Sequence, residues 1–266
     1  MLFSLSGLGL SLYALLPGKK KPLARKLILF LGGWAGIIFS LVSRTSLDLA
    51  GFVMLVLCGA FGAAIVHHLI TVFIGPLIFG RIWCGWGCWS AMIFDLLPFG
   101  RGSERLAGQW RRFPAAVLAA TIAVAATACY GFGYRGMATI GSQPHRSELY
   151  WIVAINLLYY ATGISLAFAL KDNRAFCKYV CPTSVLLRIT SRFSRLKIAG
   201  SNDLCNSCEA CTKLCPMGIG IPDYVTRGQR VLSTDCILCR TCISVCPLRA
   251  LRFSFDLDVG GPGDLR

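Results

Sequence analysis

The chain has 266 residues, 55% of them hydrophobic and 15% charged, with a formal net charge of +15. It is too apolar for an ordinary water-soluble domain, which leaves a membrane protein with a smaller soluble part. The basic residues crowd the ends of apolar stretches instead of forming one basic face, so membrane lipid is the expected partner and nucleic acid is not.

Met1–Leu16 is apolar and uncharged, then broken by Pro17-Gly18 and Lys19-Lys20-Lys21. The charges follow the apolar stretch, the reverse of a secretory signal. Sixteen helical residues reach only about 24 Å, short of a ~30 Å hydrocarbon core. Residues 1–22 are therefore expected as an interfacial or half-inserted segment, with a short fifth crossing as the alternative.

Four spans are expected, near residues 23–42, 49–70, 113–132 and 149–170. Leu49–Phe79 contains no Asp, Glu, Lys or Arg and is longer than one crossing needs. A turn near Gly75-Pro76, with an interfacial segment after the span, accounts for the excess. Small residues in Ala115–Ala128 favour close helix packing. Cys58 and Cys129, inside spans, read as small apolar packing residues.

Lys and Arg counts orient the spans. Five lie before or at the entry of the first (Lys19, Lys20, Lys21, Arg25 and Lys26), one (Arg44) follows it, and five lie from Arg81 to Arg112. Two lie between Tyr134 and Glu148, and fourteen follow from Lys171. The alternation predicts a multi-pass protein of the inner (cytoplasmic) membrane with both termini in the cytoplasm. Arg188–Lys197 is expected on anionic headgroups.

Two C-x3-C units stand after the second and fourth spans, Cys84 with Cys88 and Cys177 with Cys181. On a helix that spacing puts both sulfurs on one face. Both units fall at cytoplasmic ends of spans, so the four thiols can meet. Two readings stay open, a third metal site (most naturally another iron–sulfur cluster) or two metal-free thiol pairs. Asp95, close to the first unit, reads either as a local cap or as a proton acceptor.

The last quarter carries two C-x2-C-x2-C-x3-C-P runs, Cys205, Cys208, Cys211 and Cys215 before Pro216, and Cys236, Cys239, Cys242 and Cys246 before Pro247. This is the bacterial ferredoxin run, in which the fourth Cys ligates the other cluster. One [4Fe–4S] cluster is thus assigned to Cys205, Cys208, Cys211 and Cys246, the other to Cys236, Cys239, Cys242 and Cys215. Zinc does not need the extra offsets, and a reducing cytoplasm disfavours disulfides.

The fold class is an all-α polytopic membrane protein of about four transmembrane helices with a small C-terminal α+β ferredoxin domain of the bacterial 2[4Fe–4S] type. The membrane domain covers residues 23–198, the ferredoxin domain 199–256 and a tail 257–266. No phosphate-cradling loop, dinucleotide fingerprint or nucleophile elbow occurs.

Four spans, a Cys84-Gly-Trp-Gly-Cys88 unit after the second, a Cys177-x3-Cys181-Pro182 unit after the fourth and a terminal double-cluster domain together resemble one family. It is the membrane polyferredoxins typified by the NapH subunit of periplasmic nitrate reduction and the C-terminal half of the NosR protein. The resemblance covers roughly residues 20–252, and departs at Trp89, where the family pattern has proline. It implies electron transfer between the quinone pool and a respiratory or maturation partner, such as a ferredoxin-like or cytochrome subunit.

His67 and His68 are candidates for a quinone-site hydrogen bond or proton relay, since a polar pair in an apolar helix is costly without a use. A His satisfied by a neighbouring helix is the plainer reading. Haem is not expected, because the third histidine, His145, belongs to the opposite loop. Three functions follow: a quinone-linked electron-transfer subunit, a maturation or redox-sensing protein for another metalloenzyme, and a wiring or anchoring subunit that touches no quinone. Whether the chain is itself the quinol-oxidising or quinone-reducing part of an oxidoreductase is left open.

Overall fold

A computed structural model of the chain describes residues 13, 16–17, 20–43, 46–59, 61–100, 110, 112–133 and 146–256. Most of the 1–22 segment, the 257–266 tail and His145 lie outside them. Tyr13 is described and buried. Its ring meets Trp86 edge-on at 5.0 Å and carries the Arg240 guanidinium at 5.2 Å.

Helix α1, Lys21–Ser43, opens with Pro22 in its first turn, where a missing N–H costs nothing. Helix α2, Leu49–Leu57, is capped by Asp48, whose Oδ1 accepts from the Gly51 N–H at 2.8 Å. It stops at Cys58 because Gly59 turns back with φ of +66°. The chain then runs as α3 (Ala63–His68), a π-helical stretch Leu69–Ile74, and α4 (Gly75–Phe79). The expected 49–70 span is therefore not one helix. Nine residues rise only about 13 Å, too little for a crossing, and the longer apolar rod lies beyond the break, through Gly75-Pro76 to Phe79. The turn expected at Gly75-Pro76 is absent: proline sits in the first turn of α4, where helix tolerates it.

Short helices α5 (Ile82–Trp86) and α6 (Trp89–Phe94) follow. Then come α7 (Phe113–Ala126), which continues as a π-helical turn Thr127–Gly131, and the long α8 (Arg146–Leu170). Among the described residues three helices are long and apolar enough to cross a membrane, Lys21–Val42, Phe113–Gly131 and Leu149–Leu170. Their outer faces expose Leu31, Val42, Val124, Leu157 and Leu158, side chains that hydrocarbon would cover. Glycines of α1 let α6 approach it: a Cβ on Gly33 would stand 2.5 Å from the Met92 sulfur.

After α8 the chain forms α9 (Ala175–Tyr179) and α10 (Thr183–Ser191), then the ferredoxin domain. Its strands β1 (Lys197–Gly200) and β2 (Leu251–Ser254) pair antiparallel, Lys197 opposite Ser254 and Gly200 opposite Leu251. Between them lie α11 (Ala210–Lys213), α12 (Ile221–Thr226) and α13 (Thr241–Val245) around a core of Ile198, Met217, Val225, Ile237 and Leu251. Ile82 and Cys84 of α5 pack against that same core, and the Leu196 N–H donates to the Ile78 carbonyl at 2.9 Å. The soluble domain is thus seated directly on the end of the α3–α4 rod.

Candidate metal centres

The two cysteine runs fold alike. Ser207 and Leu238, two residues after the first cysteine of each run, have φ of +54° and +51°. Glu209 and Arg240, four residues after it, have φ of +59° and +62°. Left-handed residues alternating with ordinary ones turn successive N–H groups to one side, the nest that recurs at Fe–S sites. None of these four is glycine, so each position accepts strain, which a bound anionic group repays.

Each nest faces a cavity. Cys205, Cys208, Cys211 and Cys246 line one of ≈ 370 Å³, mouth included. Cys215, Cys236, Cys239 and Cys242 line another of ≈ 380 Å³. The fourth cysteine of each run has crossed to the other's cavity, because the chain after it turns away at Pro216 or Pro247. Among the described residues no three Cys, His, Asp or Glu side chains close around a single ion. A cubane, with metal at several corners, takes thiolates set wider apart than the tetrahedral sulfurs of one zinc. Burial pushes the Cys236 thiol up to about 12, so a metal binding there would have to displace its proton. The donor set, the nests and the apolar walls fit [4Fe–4S] clusters.

The C-x3-C units also share one turn. Trp83 and Phe176, each just before the first cysteine, offer a carbonyl to two N–H groups. Trp83 accepts from Gly87 and Cys88 at 2.9 and 3.0 Å, Phe176 from Val180 and Cys181 at 2.9 Å each. The tight bend brings the second cysteine of each pair to the cavity that the first also lines. All four cysteines line a single cavity of ≈ 740 Å³, mouth included, walled by residues between Leu47 and Leu187.

Two arginines are fully buried beside it, Arg81 and Arg174. Arg174 donates from Nε to Asp95 at 2.7 Å and from Nη1 to the Cys84 carbonyl at 3.1 Å, and Nη1 lies 3.9 Å from the Cys177 sulfur. Arg25 donates to the other Asp95 oxygen at 2.8 Å and to the Gly85 carbonyl at 3.0 Å. Asp95 stands at the C-cap of α6 through its backbone, and its carboxylate is the anion shared by two arginines. Burial opposes its charge, but Arg174 and Arg25 outweigh that and hold the carboxyl below the usual range. Arg81 and Arg188 likewise share Asp235, at 3.2 and 3.0 Å.

Each Arg–Asp–Arg triad carries one net positive charge, and among the described residues Arg174 Nη2 and Arg81 Nε are buried without a hydrogen-bond partner. Buried cations need a counter-charge. Neutral thiols do not supply one. Burial pushes Cys181 up to about 12 and Cys88 higher still, with Cys177 also raised against the pull of Arg174. Four thiolates holding a metal cluster in this cavity would carry the negative charge that the triads lack. Arg81 and Arg174 went unnoticed in the sequence, although the signal is there: each stands three residues before the first cysteine of its unit, Arg-x2-Cys-x3-Cys in both.

On the membrane side of the same cavity, the His67 ring lies 5.5 Å from Trp83, edge-on, and 5.9 Å from Trp89, stacked. His68 stacks on Phe52 at 4.8 Å and its Nδ1 is 2.9 Å from the Ala64 carbonyl. A carbonyl only accepts, so Nδ1 carries the proton and Nε2 is left as an acceptor. Asp48, a third residue the sequence did not flag, also lines the cavity, and its Oδ2 is buried without a hydrogen-bond partner among the described residues.

Comparisons with known proteins find 4Fe-4S domain families over the segments that carry these cysteines. The family described as a 4Fe-4S dicluster domain matches residues 197–247. A 4Fe-4S binding domain matches residues 61–106 and again 157–199, one C-x3-C unit in each match. The chain is 26% identical over 231 residues to an uncharacterized protein of Methanocaldococcus jannaschii, covering 80% of each. It is 28% identical over 206 residues to a second from that organism, 72% of this chain and 79% of the other. YccM of Escherichia coli, whose name suggests electron transport, shares 32% identity over 94 residues, 35% of this chain and 25% of that one. No solved structure matches. The chain therefore carries a C-terminal 4Fe–4S dicluster ferredoxin domain behind a helix-rich part with helices able to cross a membrane.

Proposed function

We propose that this chain is a membrane-bound iron–sulfur protein that passes electrons between a quinone in the bilayer and a redox partner, through a third cluster at Cys84, Cys88, Cys177 and Cys181 and the two of the ferredoxin domain. The observation that carries it is the pair of fully buried arginines, Arg81 and Arg174, beside a four-cysteine cavity, with Arg81 also bonded to Asp235, next to Cys236. Bound clusters supply one-electron carriers. The protein's own part is to hold them in sequence: Gly85 leaves no room between its loop and Ile237, where a Cβ would come within 2.4 Å of the carbonyl oxygen. At the far end, Cys208 is exposed, which makes the Cys205 group the contact for a ferredoxin-like or cytochrome partner.

Quinone enters this reading through the resemblance to NapH/NosR-type proteins and through the cavity's membrane side. His67 and His68 lie there with Asp48, groups that accept protons as a quinol loses electrons. The excess of Lys and Arg in the loops on the ferredoxin side supports a cytoplasmic position for it. Anaerobically purified protein should then hold about twelve iron atoms, three four-iron clusters. Cys84→Ser and Cys177→Ser should each lose about four and stop reduction by quinol. A parent with about eight iron atoms, and variants that keep quinol reduction, would refute the third cluster. Unchanged iron with failed reduction would instead favour thiol couples in the two C-x3-C units.

A further inference from the structure

Two cysteines outside all three centres meet. Cys58 ends α2 and Cys129 lies in the π-helical turn that prolongs α7, and their sulfurs stand 2.6 Å apart. The meeting is built by the packing of two helices. Met54 and Cys58 are four residues apart on one, Ala125 and Cys129 four apart on the other, and these four side chains form one cluster. The Tyr130 hydroxyl donates to the Leu57 carbonyl at 2.9 Å and holds the two chain ends together. Widening the α7 backbone to π geometry at Thr127 shifts the register of the last turn, the kind of local defect often found where a side chain has a task. Packing alone, which the sequence predicts for these residues, does not require sulfur against sulfur.

We propose that Cys58 and Cys129 form a reversible cystine that pins α2 to α7. Helix α2 is only nine residues long, and its opposite end, at Asp48, lines the four-cysteine cavity. The cross-link would thus fix one wall of that cavity from about 13 Å away. The oxidant is a disulfide, of a thiol oxidase or of a small molecule such as oxidised glutathione. The Cys58 thiolate, on the more accessible of the two residues, attacks one acceptor sulfur and expels a thiolate. Cys129 then loses its proton, attacks Cys58 Sγ and expels the second acceptor thiolate. One S–S bond forms and one breaks; two protons and two electrons leave the pair and appear as two acceptor thiols.

The test uses the full chain in membranes. Thiols are trapped with N-ethylmaleimide before and after exposure to oxidised glutathione, and the digested protein is analysed by mass spectrometry without reduction. The expected result after exposure is a cross-linked peptide joining Cys58 to Cys129, cleaved by dithiothreitol to two peptides that then accept iodoacetamide. Complete maleimide labelling of both residues in both samples would overturn the proposal, as would a cross-link from either residue to another cysteine.

Discussion

The Trp86 indole N–H donates to the Leu238 carbonyl at 3.0 Å, and this single bond joins the loop of the first C-x3-C unit to the loop of a ferredoxin run. Cys84 and Cys88 flank the one partner, Cys236 and Cys239 the other. Membrane domain and soluble domain therefore meet through the backbones that carry their candidate ligands, and strain at this contact is felt on both sides.

Gly85 should be intolerant for that reason. Any side chain there meets the Ile237 carbonyl, and overpacking against backbone costs about 1–3 kcal/mol. Gly85→Val should keep the iron of the ferredoxin domain but slow its reduction from the membrane, measured by stopped-flow absorbance with quinol against dithionite. Equal rates with both reductants in parent and variant would count against this contact as the electron route.

The crossed cavities predict which cluster each fourth cysteine serves. Cys215→Ser should remove the cluster of Cys236, Cys239 and Cys242, and Cys246→Ser that of Cys205, Cys208 and Cys211. Each variant should lose about four iron atoms. Differential alkylation reads the outcome: in Cys215→Ser the second run becomes reactive while the first stays protected. The opposite protection pattern would reverse the assignment.

Arg174 is held at full burial by Asp95 and by the groups around Cys177. Arg174→Met leaves Asp95 with Arg25 alone, and breaking a buried pair from one side costs about 3–5 kcal/mol. The variant should lose the iron attributed to the C-x3-C units before that of the ferredoxin domain. Arg174→Lys should not restore it, since one ammonium cannot reproduce the fork on Asp95 and Cys84. Iron analysis of both variants checks this.

Removal of iron should unfold the segment from Lys197 to Ser254. Its helices have four to six residues, too short to persist alone, and cysteines make up part of its core. Chelation after oxidation should expose this segment to protease while α1 and α8 stay protected by detergent or lipid. Survival of a protected ferredoxin fragment without iron would contradict the coupling of folding to metal.

Much of this protein was legible in order of residues. Iron–sulfur chemistry is local: a C-x2-C-x2-C loop wraps one cluster by its own turns, so spacing names the candidates at Cys205 to Cys246. Helices that face lipid are also local, since α1 and α8 are recognised by length and hydropathy alone. Even the missed arginines had a signature, the shared Arg-x2-Cys-x3-Cys.

Other features depended on what faces what. Hydropathy cannot see the break at Gly59, because a short helix, a turn and a second rod are as apolar as one long span, and so the second crossing was misdrawn. Asp95 could be a cap or a proton acceptor until Arg25 and Arg174, 70 and 79 residues away, came to either side of it. Cys58 and Cys129, 71 residues apart, are ordinary packing residues until α2 lies on α7. Spacing within a turn is set by local backbone geometry and can be read from the chain, whereas neutralising a buried charge or pairing two sulfurs depends on partners that only the packing of distant segments selects.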